Sequence, residues 1–135
     1  MGRSVLILLD THVVVWLAFE PTRVSRPAQA AIDEARLSGR ALAISDFTLF
    51  ELSSLFRKKQ FSLILDPESF LSEVARRFVV LPITANIALQ AFALPASYPR
   101  DPADRIIGAT ALIEDIPLVT ADQAIRKSRA VPTVW

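Results

Sequence analysis

The run Ser4-Val5-Leu6-Ile7-Leu8-Leu9 constrains the fold of this chain more than any other stretch. It is continuously apolar rather than alternating, the signature of a strand covered on both faces. Such strands belong to parallel sheets, which need crossover helices to return the chain to the same edge. Asp10 ends the run, followed by Thr11 and His12. An acid at the carboxyl end of a parallel strand stands where ligands of open α/β sheets bind.

The remaining elements alternate accordingly. Val13–Phe19 reads as a helix ended by Glu20-Pro21, and Ser25 caps a second helix that stops at Gly39. Ala41–Ser45 is a short strand, and Ser45 or Asp46 opens a helix to Lys59. Asp66-Pro67-Glu68 starts a helix to Arg77, since proline suits the first helical position. Val79-Val80-Leu81 with Ile83 forms a third strand, and Thr84 caps the helix Ala85–Ala93. Asp101-Pro102 opens another helix, whose Ile106, Ile107, Thr110, Ala111 and Ile113 recur at helical spacing and predict one inward face. Pro117 introduces the strand Leu118-Val119-Thr120, Asp122 precedes a short helix Gln123–Lys127, and Val131–Trp135 reads as a terminal strand. The expectation is an α/β fold around a mostly parallel sheet.

Composition narrows the classes of function. At 135 residues the chain fits one domain, and 52% hydrophobic residues with three glycines suit a filled core. The longest apolar run is broken by Asp10 and His12, short of the roughly 20 residues of a membrane span. MGRSVLILLD lacks a small-residue cleavage site, so it reads poorly as a signal peptide. The absence of cysteine fits a cytoplasmic protein, and with His12 as the sole histidine a closed structural zinc site is excluded. The net charge of +1 says nothing for or against a nucleic-acid partner, which only local clustering of basic residues could indicate.

Four acids draw attention by position. Asp10 and Asp122 follow strands, while Glu51 and Asp104 lie near helix starts that return to the same edge. Each alone has an ordinary explanation. Asp104 falls at the third helical position and Asp122 before a helix, both natural for capping, and Glu51 suits a solvated helix face. Together in one cleft, four carboxylates would repel one another unless protonated or neutralised by a cation. All-oxygen donors select Mg²⁺ or Mn²⁺, and such ions activate water toward phosphodiesters.

The blocks Leu8-Leu9-Asp10-Thr11-His12, Ile44-Ser45-Asp46-Phe47-Thr48-Leu49-Phe50-Glu51, Asp101-Pro102-Ala103-Asp104-Arg105 and Leu118-Val119-Thr120-Ala121-Asp122 together resemble a PIN domain. More narrowly, they resemble the VapC-type toxins of bacterial and archaeal toxin–antitoxin pairs. The resemblance spans essentially the whole chain. It implies one PIN domain over residues 1–135, a three-layer α/β/α sandwich, and a metal-dependent endoribonuclease toxin using Mg²⁺ (or Mn²⁺). It assigns catalysis and metal binding to Asp10, Glu51, Asp104 and Asp122, with the Thr120 hydroxyl helping to hold the cluster or its water. It also implies an RNA substrate, a cognate antitoxin and a homodimer, with Val134-Trp135 contributing apolar surface. Gly108 stands where this family more often has alanine, still small enough for close helix packing.

Other residues receive lesser roles. Asp101, near the implied pocket, is assigned to capping, His12 to a hydrogen-bonded helix start, and Trp16 and Trp135 to core or dimer interface. Arg57-Lys58-Lys59, Arg76-Arg77, Arg100, Arg105, Arg126 and Lys127 are candidate RNA contacts or plain solvated faces. A phospho-receiver would need a lysine where Asp122 stands, and no glycine-rich phosphate loop is present. The alternative is a non-catalytic interaction module on the same scaffold, against which all four acids argue.

Overall fold

The structure, a computed structural model, describes residues 6–59 and 66–135. Among these residues, five short parallel strands form the sheet: β1 (Ile7–Leu9), β2 (Leu42–Ser45), β3 (Val79–Leu81), β4 (Leu118–Val119) and β5 (Thr133–Val134). Their order is β3-β2-β1-β4-β5, with every neighbouring pair parallel. The chain therefore builds outward from β1 on one side, then crosses back to place β4 on the other. The crevice between the carboxyl ends of β1 and β4 is the switch point of the sheet.

Among the described residues, seven α-helices connect the strands: α1 (Thr11–Phe19), α2 (Arg26–Leu37), α3 (Asp46–Lys59), α4 (Pro67–Arg77), α5 (Ala85–Ala93), α6 (Pro102–Glu114) and α7 (Gln123–Ser128). Side-chain alternation along the strands assigns them to layers. Ile7, Leu9, Leu42, Ile44 and Val119 pack with Val13, Val14, Ile32, Leu52, Phe56 and Phe70 from α1–α4. Leu8, Ala43 and Leu118 face the other way, onto Ile107 and Ala111 of α6 and Ile125 of α7. Ile87 and Ala91 of α5 close over Ala109 of α6. Burial on both faces is what the apolar run implied, and the architecture is the expected α/β/α sandwich.

Helix starts follow local capping chemistry. Ser25, Asp66, Thr84, Asp101 and Asp122 each accept a backbone N–H with their side chains, as their sequence positions predict. Asp10 does the same for Thr11, so α1 begins two residues earlier than its apolar run suggests. Gly39 takes φ +73° after α2, the left-handed turn that favours glycine there.

Several expectations are corrected. Ser4 and Val5 lie outside the described residues, and Leu6 precedes the strand rather than joining it. Ala41 likewise precedes β2. Ile83 leaves β3 because its N–H donates to the Asp46 carboxylate, 3.3 Å away, instead of a strand partner. Ile113 is 40% exposed, not inward. Seven residues after Ile106, it sits on the same flank of α6, while the buried stripe centres on Ile107 and Ala111. The terminal strand is shorter than Val131–Trp135, and Val134 and Trp135 pack partly buried against the core, which reduces the apolar surface they offer a dimer. Among the described residues, no helix is long and apolar enough to cross a membrane.

Candidate active site

Asp10 is fixed by the sheet before any function is considered. Leu9 of β1 is in register with Val119 of β4, which places Asp10 beside Thr120. The Asp10 carboxylate is 8% exposed. It accepts Thr11 N–H at 2.9 Å and the Thr120 hydroxyl at 2.7 Å. Thr120 Oγ1 in turn accepts the N–H of Asp122 at 3.1 Å. One hydroxyl thus ties the carboxyl end of β1 to the loop that carries Asp122, whose carboxylate caps α7 by accepting Ile125 N–H at 3.0 Å.

Glu51 arrives from the second turn of α3, half-buried rather than solvated. Thr11 Oγ1 donates to Glu51 Oε1 at 2.5 Å, and Thr48 Oγ1 lies 3.0 Å from Thr11 Oγ1. Thr48 precedes Glu51 by three residues, so both project from one face of α3. Thr11 and Thr48 were missed by the sequence reading, because a threonine beside an acid has no motif of its own.

Asp104 sits in the first turn of α6, whose position depends on two further residues. Tyr98, 1% exposed, donates its hydroxyl to the Asp104 carbonyl at 2.8 Å. Its ring passes over Gly108 so closely that an added Cβ would lie 2.6 Å from Tyr98 Cζ and nearer still to the hydroxyl oxygen. Glycine at 108 therefore reflects this aromatic ring, not helix packing in general. Arg105 donates to four carbonyl oxygens: Ala91 and Leu94 at 3.0 and 3.3 Å, Pro95 and Tyr98 at 3.4 and 3.3 Å. It is a strap that ties the end of α5 and the following loop to α6, and its role as an RNA contact is corrected.

Asp10, Glu51, Asp104 and Asp122 all line one cavity of about 430 Å³, joined by Asp101, His12, Trp16 and Ala121. Asp101 caps α6 as expected, accepting Ala103 N–H at 2.8 Å, and also borders this space. His12 is exposed at the rim and has no hydrogen-bond partner among the described residues, unlike the bonded helix-start histidine expected. Trp16, assigned to core or interface by sequence, forms part of the wall.

The crowding of acids is visible in their protonation. Burial, then the neighbouring Asp10, Asp101, Asp122 and Glu51 carboxylates, push Asp104 up to about 7. Burial raises Asp10 against the opposing hydrogen bonds from Thr120 and Thr11, and burial also raises Glu51 against its bond from Thr11. A divalent cation would relieve this repulsion, and the donor set, hard carboxylate oxygen throughout, suits Mg²⁺ or Mn²⁺. Among the described residues no three acids or histidines stand near enough to make a ready-formed cage. The carboxylates share a cavity while Asp10 and Asp122 are turned to their hydrogen-bond donors.

The basic residues divide. Arg76 and Arg77 pair with Glu73 on α4, and Arg126 reaches the Ala121 carbonyl at 3.4 Å. Arg57, Lys58, Arg100 and Lys127 are exposed, and the Lys59 side chain lies outside the described residues.

Comparison with known proteins gives consistent findings. The family model of the PIN domain matches residues 7–130. Ribonuclease VapC22 of Mycobacterium tuberculosis is 39% identical over 131 residues, covering 96% of this chain and 98% of that protein. Among solved structures, VapBC2 of Rickettsia felis, bound to a promoter DNA fragment, superimposes with a TM-score of 0.73 at 17% identity, covering 95% of this chain and 96% of that one. DNA-bound VapBC of Salmonella typhimurium gives 0.70 at 19% identity, covering 96% of each chain.

Proposed function

This chain belongs to the PIN-domain family, and from that premise we propose that it is a metal-dependent endoribonuclease toxin held inactive by a cognate antitoxin. The observation that carries the reading is the convergence of Asp10, Glu51, Asp104 and Asp122 on one cavity at the switch point of the sheet. The ribonuclease activity named for the relative at 39% identity supports it.

In this reading Asp10, Glu51, Asp104 and Asp122 hold Mg²⁺ or Mn²⁺. When bound, such an ion activates water and neutralises charge developing on the scissile phosphate. The chain's own contribution is positional. Thr120 holds Asp10 and the Asp122 loop together, Thr11 and Thr48 orient Glu51, and Tyr98 with Arg105 sets the start of α6. These bonds fix where each acid is anchored around the cavity, and binding a cation would turn the Asp10 and Asp122 carboxylates from their present donors toward it.

An antitoxin fits the same electrostatics. An arginine or lysine inserted into the acidic cavity would pair with Asp10 and Asp122 and obstruct metal or substrate. Neighbours of similar fold include a toxin–antitoxin complex of Klebsiella pneumoniae and a member of the VapBC family of toxin–antitoxin systems of Mycobacterium tuberculosis. A homodimer is supported by apolar surface left uncovered on α5, where Leu89 is 72% and Phe92 90% exposed.

The test is RNA cleavage by purified protein. Chelation is expected to abolish it, and Mg²⁺ or Mn²⁺ to restore it. A folded protein that cleaves no RNA under any metal condition would leave the interaction-module reading in its place. Co-purification with the product of the adjacent reading frame, expected to be a small DNA-binding protein, and a dimer in sedimentation at micromolar concentration, check the partners.

A further inference from the structure

The cavity has an aromatic wall facing its acids. His12 and Trp16, one turn apart on α1, both border it, with ring centroids 6.1 Å apart at 49°. Trp16 packs against further side chains. The Arg23 guanidinium lies 4.4 Å over its ring, Trp135 packs at 5.8 Å, and Arg23 is itself paired to Glu20. The guanidinium thus covers one face of the indole, which still borders the cavity, while the neighbouring imidazole is exposed at the entrance.

The charge of the cavity sets the problem this wall answers. Five carboxylates border it, Asp101 included, and His12 is the one basic-capable side chain among its lining residues. A phosphate chain entering there meets repulsion that a cation offsets only locally. The bases carry no such charge, and each has a π-face able to stack on an aromatic ring. Stacking demands a base free of its duplex partner.

Resting on the endoribonuclease reading, we propose that His12 and Trp16 form a nucleobase-stacking subsite for an unpaired nucleotide flanking the cleaved bond. Trp16 is the platform and His12 the outer edge. Recognition is tolerant of base identity because stacking reads no hydrogen-bonding edge.

A minimal probe separates base from phosphate. Adenosine 5′-monophosphate and ribose 5-phosphate are titrated calorimetrically in Mg²⁺, with Trp16 emission followed in a Trp135→Phe background. The nucleotide is expected to quench Trp16 and bind about five- to hundred-fold tighter than the sugar phosphate. His12→Ala, at an exposed position, is expected to cut that advantage several-fold, and Trp16→Leu to abolish it. In parallel, an RNA strand is expected to be cleaved far faster alone than in its duplex. Equal binding of the two probes, no binding of either, an advantage surviving both substitutions, or equal cleavage of duplex and single strand would overturn the subsite. Metal-dependent RNA cleavage in the same preparation keeps the nuclease reading standing in each of those cases. Its absence counts against the nuclease reading itself.

Discussion

Replacing Gly108 by alanine inserts one methyl group between α6 and Tyr98. The new Cβ would lie 2.6 Å from Tyr98 Cζ and 3.3 Å from Cε1, inside any tolerable carbon–carbon contact. Tyr98 has little room to yield, being 1% exposed with its hydroxyl bonded to the Asp104 carbonyl. Overpacking of this kind costs about 1–3 kcal/mol. Displacing the phenol leaves buried polar groups unpaired, at roughly a further 1–3 kcal/mol. Alanine's better helix propensity returns about 1 kcal/mol. The net expectation is a loss of about 3 kcal/mol, or on the order of 10 °C in melting temperature for a domain of this size. Thermal unfolding by circular dichroism measures it. Tyr98→Phe alone is expected to lose about 1 kcal/mol. Combined with Gly108→Ala it should rescue little, because the ring carbons still obstruct the methyl group. A Gly108→Ala protein that melts with or above the parent would refute the reasoning, since helix propensity would then outweigh the contact.

Asp104→Asn removes one charge from the cavity, so RNA cleavage is expected to fall by orders of magnitude while the metal-free protein becomes more stable; cleavage and melting curves measured together check both. The acids also set a pH dependence. With Asp104 up at about 7 and Asp10 and Glu51 also raised, the folded protein binds more protons than the unfolded chain. Metal-free stability should therefore fall as pH rises from the ordinary carboxylate range, about 4, toward 7, and Mg²⁺ should reduce that fall; melting from pH 5 to pH 8 with and without the ion tests it. Arg105→Lys keeps the charge but cannot span four carbonyls, and is expected to cost about 2 kcal/mol, read from urea denaturation.

The sheet was legible because its evidence is local. Leu8 and Leu9 announce a strand buried on both faces, and Ser25, Asp66, Thr84 and Asp101 announce helix starts within four residues of where they act. The acids were legible by position, as each follows a strand or lies in the first two turns of a helix. What holds them was not. Thr11 and Glu51 are forty residues apart, and Asp10 and Thr120 more than a hundred, so no local pattern reveals those bonds; Thr120 was reached through family resemblance. Tyr98 lies in a stretch that reads only as a connector, and its contact with Gly108 depends on how α6 packs. The double role of Asp101, and the place of Trp16 beside the acids, likewise follow from tertiary packing rather than spacing.

The central claim is that these four carboxylates hold a divalent ion that cleavage requires. Calorimetric titration of Mn²⁺ into metal-free protein, paired with RNA cleavage on the same samples, tests it most directly. Saturable binding in the parent, lost together with cleavage in Asp10→Asn and Asp104→Asn, is the predicted result. Full cleavage in either folded variant, or in parent protein stripped of metal, would contradict it.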